Sequence, residues 1–318
     1  MKTKSSHGFT LVELMVALVI SSILLGGVMT IMSSSKKTYT LQSEMSALQD
    51  NARFLIDELT YKIRMAGYQG CSPQKRKEKN SFDYSRPFAY SQNSAFNGTP
   101  NSDQLTIGSF GEILPLAPGQ PLQVDSTKIN LDSGFILPPS LSEKILISAC
   151  GMDEPKEYTL KSVDPPNVLN VDPPLGRFTG GQVFNGSQET IYQVKDTPVL
   201  GLYKCQDNDP DGQCNDPSQV NTPFIDGVES MQVRYGVERN GIIQFKETPT
   251  TQSEERVIAV RITLLMRTPQ KRGIPGTTNK DFYLDPGVTY NPQNNLGAEE
   301  GFRHRLFTTT IQVRNSTI

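Results

Sequence analysis

The stretch Gly8-Phe9-Thr10-Leu11-Val12-Glu13-Leu14-Met15 opens a mostly apolar run that continues to Met32. As a helix, the 24 residues from Phe9 to Met32 would span roughly 36 Å, enough to cross a bilayer core of about 30 Å. The run contains a single ionisable side chain, that of Glu13. Because a carboxylate near the bilayer centre costs about 2.5–3.5 kcal/mol, we expect Glu13 to have a specific function.

A short polar leader, residues 1–8, precedes the apolar run, and its lysines Lys2 and Lys4 predict a cytoplasmic position for that end. The rest of the chain is then exported. An ordinary secretory signal has an apolar region of about 7–15 residues followed by a small-residue cleavage site, and this run is longer. Serines 33–35 offer one such junction. Cleavage after Gly8 would instead remove the charged leader and keep the apolar helix on the mature protein.

The motif Gly-Phe-Thr-Leu-Val-Glu at residues 8–13 resembles the class III signal of type IV prepilins. The resemblance implies cleavage by prepilin peptidase after Gly8 and N-methylation of the new N-terminal residue, Phe9. It also implies that the Glu13 carboxylate pairs with the α-amino group of a neighbouring subunit, since a nearby opposite charge makes a carboxylate tolerable in low-dielectric surroundings. The alternative is an uncleaved single-pass anchor in which Glu13 reaches the membrane interface.

The helix is predicted to continue beyond the apolar run, because apolar residues recur every three or four positions as far as Ala66. Gly67 is placed to end it in a left-handed conformation. Gly26 and Gly27 interrupt the apolar half, either for close helix packing or as a segment that melts during assembly. The apolar stripe of the second half comprises Leu41, Met45, Leu48, Ala52, Leu55, Leu59, Ile63 and Ala66.

The remainder of the chain has the composition of a strand-and-loop body, with 25 Gly, 22 Pro and no Trp. Residues 70–142 are interpreted as loops with a few strands, and residues 104–107 form one short apolar segment. We therefore predict an α+β fold in which a long N-terminal helical stem packs on an antiparallel β-sheet head with long loops. Clearer strand signals occur at 144–149, 157–163, 190–194, 199–204, 228–237, 256–267 and 305–314.

Two of the predicted strands carry the most information. In residues 228–237, Met231, Val233 and Tyr235 alternate with polar residues, which predicts a half-buried strand with a solvated polar face. In residues 256–267, Ile258, Val260, Ile262, Leu264 and Met266 share one face. This second segment is predicted to be a central strand of the sheet.

The layout as a whole resembles the PilW-type minor pilins of type IV pili. The resemblance is carried by the stem ending in Ala66-Gly67-Tyr68, the strand from Arg256 to Pro269, and the closing Thr-rich strand followed by Arg314-Asn315. It implies a leader at 1–8, a membrane-spanning and assembly segment at 9–32, an amphipathic helical segment at 33–67 and an exported head at 68–318. The middle of the chain, residues 71–223, matches no pattern of the family.

What the resemblance implies is a structural minor pilin that primes or caps assembly of a type IV pilus. Its partners would be other minor and major pilins, prepilin peptidase and the inner-membrane assembly machinery. Before assembly it would lie in the inner membrane with its head in the periplasm, and after assembly in a pilus at the cell surface. Two alternatives stay open: a minor pseudopilin of a type II secretion system, and a pilus-tip adhesin whose loops bind a ligand.

All four cysteines follow the apolar helix, in what should be an oxidising compartment, so disulfide bonds are expected. Three connectivities are possible, and we favour Cys71 with Cys150 and Cys205 with Cys214. No two cysteines have the Cys-x-x-Cys spacing of a redox or zinc site.

Residues 205–216 place carboxylates at alternating positions before a glycine, as at the start of a calcium loop. Ser218 stands where such a loop needs its twelfth-position Glu, and the bracketing cysteines favour a disulfide-closed surface turn instead. Apart from this weak calcium site, no cofactor is expected. The ligands would be Asp207, Asp209, Asp211 and Asp216.

Neither catalysis nor nucleic-acid binding is expected. After loss of the leader the chain keeps one histidine, His304, and nothing marks a nucleophile that it could activate. The formal charge of −2 becomes about −4 once Lys2 and Lys4 are removed, which does not favour a polyanionic partner. The basic residues at 75–79 are interpreted as a solvated loop.

Overall fold

The computed structural model describes residues 10–68, 70, 88–93, 102–138, 141–150, 155–176, 180–195, 199–207, 222–249, 256–268, 281–291 and 302–314. Its contacts divide the chain into two compact units, residues 1–50 and 51–318. One helix, α1 (Leu11–Met65), begins in the first unit and ends in the second. The described strands all belong to the second unit.

The strands, in chain order, begin with β1 (Phe88–Asn93), β2 (Ser102–Phe110), β3 (Ile113–Leu114), β4 (Lys128–Asn130), β5 (Lys144–Ser148), β6 (Lys156–Asp164), β7 (Val168–Asp172), β8 (Gln182–Phe184) and β9 (Ser187–Lys195). They continue with β10 (Gly201–Asp207), β11 (Ile225–Asp226), β12 (Val228–Arg239), β13 (Ile242–Lys246), β14 (Arg256–Arg267), β15 (Phe282–Asp285), β16 (Val288–Tyr290) and β17 (His304–Gln312).

The predicted long helix is confirmed. It runs through Gly26 and Gly27 without a break. It ends where predicted, because Gly67 adopts a left-handed φ of 69° that a glycine reaches without steric cost. The N–H of Gly67 donates to the carbonyl of Gly108 in β2 at 3.2 Å. The end of the helix is therefore attached directly to a strand of the sheet.

The apolar stripe of the last turns of α1 is buried as predicted. Ala52, Leu55, Leu59, Ile63 and Ala66 are each at most 1% exposed. Fully burying a Leu or Ile side chain contributes roughly 1.5–3 kcal/mol. This stripe is therefore a main source of stability in the second unit.

The predicted antiparallel head is also confirmed, but its strands form four sheets among the described residues. Their strand orders are β1-β2-β9-β10-β11, β13-β12-β14-β17, β3-β8-β5-β6-β7-β4 and the hairpin β15-β16. The six-stranded sheet encloses a core cluster that includes Ile129, Ile145, Leu169 and Val183. Because this sheet buries its own apolar face, it does not need the helix to cover that face. The prediction of a single sheet packed on the stem is therefore too simple.

Strand β14 is central as predicted, since it pairs with β12 on one side and β17 on the other. The prediction of a solvated polar face on β12 is wrong. Ser230 and Gln232 are at most 5% exposed, because the hairpin β15-β16 covers that face with Leu284 and Tyr290 against Leu265. The alternation of apolar and polar residues in β12 indicates which side chains share each face of the strand. It does not indicate that a hairpin later in the sequence packs on the polar face.

The backbone edge of β12 is protected by two different devices. Its C-terminal half pairs with β13. Beside its N-terminal half, the Ser102 hydroxyl accepts a hydrogen bond from Met231 N–H at 3.1 Å, and Asp103 Oδ2 accepts one from Val233 N–H at 2.7 Å. These side chains of β2 occupy the place of a missing strand, and so join the five-stranded sheet to the four-stranded one.

We expect Asp103→Ala to destabilise the full-length protein by about 1–3 kcal/mol, because it leaves the buried Val233 N–H without its acceptor. Thermal unfolding of the detergent-solubilised chain measures this as a melting temperature lowered by several degrees. The exposed Asp226→Ala is the matched control and should unfold like the wild type. Equal melting temperatures for Asp103→Ala and the wild type would contradict the assigned role of Asp103.

Candidate functional site

The N-terminal end of α1 carries a reciprocal capping arrangement. Glu13 N–H donates to the Thr10 hydroxyl, and Thr10 N–H donates to Glu13 Oε2, both at 3.3 Å. The Thr10 hydroxyl also lies 3.3 Å from the same Oε2. This is a capping box, in which two helix N–H groups that have no acceptor within the helix are satisfied by side chains.

The sequence analysis missed this role, although the signal was present: Thr10-x-x-Glu13 directly before an apolar run is the pattern of a capping box. Glu13 therefore has a local function besides the predicted pairing with a neighbour. Gly8 and Phe9 lie outside the described residues, so the processing site stays a prediction.

The first half of α1 presents its apolar side chains outward within its own unit, and residues from Leu11 to Met32 are exposed. It is a helix long and apolar enough to cross a membrane. Two of its hydroxyls bond within the helix, because Ser22 donates to the Val19 carbonyl at 2.8 Å and Thr30 donates to the Gly26 carbonyl at 2.9 Å. Such bonds suit a segment surrounded by hydrocarbon, where no water can satisfy a polar group.

The predicted disulfide and calcium residues are only partly described. Cys150 and Cys205 are both disulfide-bonded, but the favoured partners Cys71 and Cys214 lie outside the described residues, and so the pairing stays a prediction. The backbone of Asp207 closes β10 opposite Glu189. The other three predicted calcium ligands, Asp209, Asp211 and Asp216, also lie outside the described residues, and calcium binding stays a prediction.

His304 lies at the start of β17 in a buried polar cluster. Its Nε2 is 3.2 Å from the Glu229 carboxylate, and Arg267 Nη1 is 3.4 Å from the same group. Burial and the negative charge of Glu229 raise the pKa of the nearby Tyr290 phenol above its usual value. The cluster joins β12, β14, β16 and β17, so the arrangement around His304 contributes to sheet packing.

A second polar cluster lies on the buried side of α1. Glu58 Oε1 is 2.6 Å from Lys204 Nζ of β10 and accepts a hydrogen bond from the Tyr192 hydroxyl at 3.2 Å. Burial alone would raise the pKa of Glu58, but the hydrogen bonds and the charge of Lys204 outweigh it, and the pKa lies below its usual value. Burial and the positive charge of Lys204 lower the pKa of Lys62, one turn further along α1.

A cavity of about 580 Å³ opens between the end of α1 and the strands. Its polar and aromatic lining combines both charge signs with rings and amides: the Lys62 amine, the Glu112 carboxylate, the rings of Tyr61 and Tyr68, and the side-chain amides of Gln188 and Gln206. A cation, a carboxylate, aromatic faces and amides together can hold a small polar molecule.

Two family models match the chain. Residues 192–315 match the model described as Type IV Pilus-assembly protein W, and residues 3–29 match the prokaryotic N-terminal methylation motif. The first match includes β12, β14 and β17, and the second includes Thr10 and Glu13. These matches confirm the resemblance to a type IV pilus minor pilin of PilW type. Residues 30–191, which contribute to the cavity, lie outside both.

Among solved structures, a type IV-like pilin from Thermus thermophilus is similar to this chain at 14% sequence identity. The alignment covers 85% of this chain and 98% of that one, with a TM-score of 0.35. A TM-score this low supports no conclusion about this chain. A search of curated proteins found no significant match.

The Glu58 cluster predicts a pH dependence of stability. Because the folded-state pKa of Glu58 lies below its ordinary 4.5, its charge stabilises the fold above pH 4.5, and this contribution is lost as the pH falls through the lowered pKa. We therefore expect Glu58→Gln to lower stability by roughly 1 kcal/mol at pH 7, the upper end for a partly exposed ion pair. The difference from wild type should disappear in acid.

The measurement is the melting temperature of the full-length protein in detergent between pH 3 and pH 7. Asp57→Asn is the matched control, since Asp57 is the exposed neighbour on the same helix. A difference between wild type and Glu58→Gln that stays constant down to the lowest pH would contradict the assigned ion pair.

Proposed function

We propose that this chain, a type IV pilin-like protein with an N-terminal methylation motif and a PilW region, is a structural minor pilin that primes or caps pilus assembly. The observation that carries the proposal is the carboxylate of Glu13 at the start of a helix apolar enough to cross a membrane, within the N-terminal methylation motif. Prepilin peptidase would cleave after Gly8, and the helix would anchor the chain in the inner membrane with its head in the periplasm. Assembly would then move the subunit into a pilus at the cell surface.

The geometry of Glu13 suits a second partner. Both hydrogen bonds from Thr10 use the oxygen Oε2, and no described residue bonds to Oε1, which can therefore accept from another donor. The methylated α-amino group of Phe9 on a neighbouring pilin would supply a cation there, while the capping bonds persist. An ion pair of this kind is what makes a carboxylate tolerable among packed apolar helices.

The same N-terminus would serve a minor pseudopilin of a type II secretion system, which is the nearest alternative. The PilW match over residues 192–315 favours the pilus. Counting pili in a deletion strain, together with an assay of protein secretion, would separate the two systems.

Ligand binding at the pilus tip is a second candidate function, and the cavity beside Lys62 is the observation that favours it. The aromatic, amide and charged lining suits a small polar ligand better than it suits packing against another helix. If the chain is an adhesin, substitutions in this lining should abolish ligand binding while piliation stays normal. If the chain is an assembly subunit, its deletion should abolish piliation.

We expect Glu13→Gln and Glu13→Ala both to insert in the membrane. Both should reduce piliation, and to the same extent. Glutamine retains the capping capacity of Glu13 but removes the charge, so equal losses assign the defect to charge pairing. Thr10→Ala removes the hydroxyl of the capping box and keeps the charge, and it should lower piliation only slightly. The measurements are pilus counts by electron microscopy and subunit recovery in the membrane fraction.

Normal piliation with Glu13→Gln, combined with loss in Glu13→Ala, would show that capping rather than charge is what assembly needs. Normal piliation in both variants would contradict the function proposed for Glu13.

We expect Gly8→Leu to block processing, because a bulky side chain at the cleavage position obstructs the peptidase, whereas Gly8→Ser should slow it less. Intact-mass spectrometry of the protein isolated from cells reads this directly as retention of the eight-residue leader. The wild type should begin at Phe9 with a methyl group added. A mature-size product from Gly8→Leu would refute the assigned site.

A further inference from the structure

Strand β13 forms an outer edge of the four-stranded sheet, because β12 is its partner on one side. Asn240 and Gly241, with φ values of 52° and 78°, make the two-residue turn that joins the pair. In such a hairpin Arg239 and Ile242 exchange hydrogen bonds, and the pairs then alternate along the ladder. The N–H and C=O groups of Ile243 and Phe245 therefore point away from β12, toward the open edge.

Among the described residues, this edge has little of the usual protection, and Lys246 is the one charged residue of β13. Exposed edge strands normally carry charges, proline or a bulge, which prevent another strand from pairing with them. Here Ile242, Ile243 and Phe245 are 63%, 54% and 38% exposed, and the backbone groups of Ile243 and Phe245 have no partner among the described residues. The edge combines free hydrogen-bonding groups with apolar side chains, which are the two requirements of strand addition.

We propose that β13 pairs with β13 of a second copy of this chain, antiparallel about a two-fold axis through Gln244. In this register Ile243 of one copy lies opposite Phe245 of the other, and the outward backbone groups of both exchange four hydrogen bonds. Gln244 lies opposite its own counterpart in a pair without backbone hydrogen bonds. The pairing continues the four-stranded sheet of one copy into that of the other.

The side chains of β13 are complementary to themselves in this register. Directly opposed residues share a face of an antiparallel sheet, so Ile243 packs on Phe245 twice, once at each end of the axis. Lys246 lies opposite Ile242, and Glu247 is held by Arg234 of its own copy at 2.8 Å. The Arg261 guanidinium lies 4.0 Å from the centre of the Phe245 ring and fixes its position. No two like charges face each other across the pair.

The contact is small, since two five-residue strands bury less than the roughly 1,600 Å² of a standard interface. We therefore expect a weak, reversible dimer that forms best where both copies are confined to one membrane, which raises their effective concentration. This expectation rests on the proposed membrane anchoring, whereas the self-complementary register does not.

The test is a cysteine placed on the two-fold axis, Gln244→Cys in the full-length chain. Opposed residues in a pair without backbone hydrogen bonds have Cα atoms about 4.5 Å apart, which a disulfide can span. Mild oxidation of membranes from cells that produce the variant should give a band at twice the chain mass, lost on reduction. Gln312→Cys, an exposed glutamine of the opposite edge strand β17, is the matched control and should give none.

A second variant tests the register. Adding Phe245→Lys to Gln244→Cys replaces both cross-strand apolar contacts by a charge, and it should lower the dimer yield roughly tenfold. An unchanged yield would overturn the proposed register. A cross-linked product whose mass shows a different protein as partner, or no more dimer than with Gln312→Cys, would overturn pairing between copies.

Membrane anchoring is checked separately. If the chain is recovered outside the membrane fraction, the proposed anchoring fails, and the cross-linking is then carried out on concentrated purified full-length protein. Dimer formation there supports β13 pairing by itself, and its absence overturns it.

Discussion

Within the second unit, the position of the last turns of α1 depends on burial of a single apolar stripe. Leu55, Leu59 and Ile63 are fully buried, and the helix ends where Gly67 turns the chain and bonds β2 through its own N–H. Glu58 lies one position before Leu59 and forms an ion pair with Lys204 of β10. The helix is thereby fixed by apolar packing along its stripe and by a polar contact beside it.

The sheets then meet the requirement that every buried backbone group and polar side chain find a partner. Ser102 and Asp103 supply acceptors where β12 lacks a neighbouring strand, and the hairpin β15-β16 covers the polar face of the same strand. Asp285 of that hairpin pairs with Arg234, and Glu229 with His304. The outward edge of β13 is different, because apolar side chains there flank backbone groups that have no partner in the described part of the chain. This contrast motivates the proposed pairing between copies.

At the N-terminal end of α1, polar backbone groups likewise find side-chain partners. A helix start leaves several N–H groups without acceptors, and in the proposed membrane anchoring no water would replace them. Thr10 and Glu13 satisfy two of these groups with one reciprocal arrangement. Since the carboxylate keeps an oxygen for a second partner, one side chain can serve the stability of the subunit and its recognition by a neighbour.

The sequence by itself determined the elements whose pattern is local: the apolar run, the stripe ending at Ala66, the left-handed Gly67 and the central strand β14. It also contained the Thr10 and Glu13 pattern, which was overlooked because the acid was considered only for its charge. These features were predictable because helix and strand periodicity and capping depend on residues a few positions apart.

Only the tertiary structure decided which polar residues are buried and what they contact. Ser230 and Gln232 have the sequence pattern of a solvated strand face, yet a hairpin some fifty residues later covers them. Asp103 bonds β12 across 130 positions of sequence, and Lys204 reaches Glu58 across 146. Such contacts depend on how separate elements are brought together in space, and no periodicity within one segment records that arrangement.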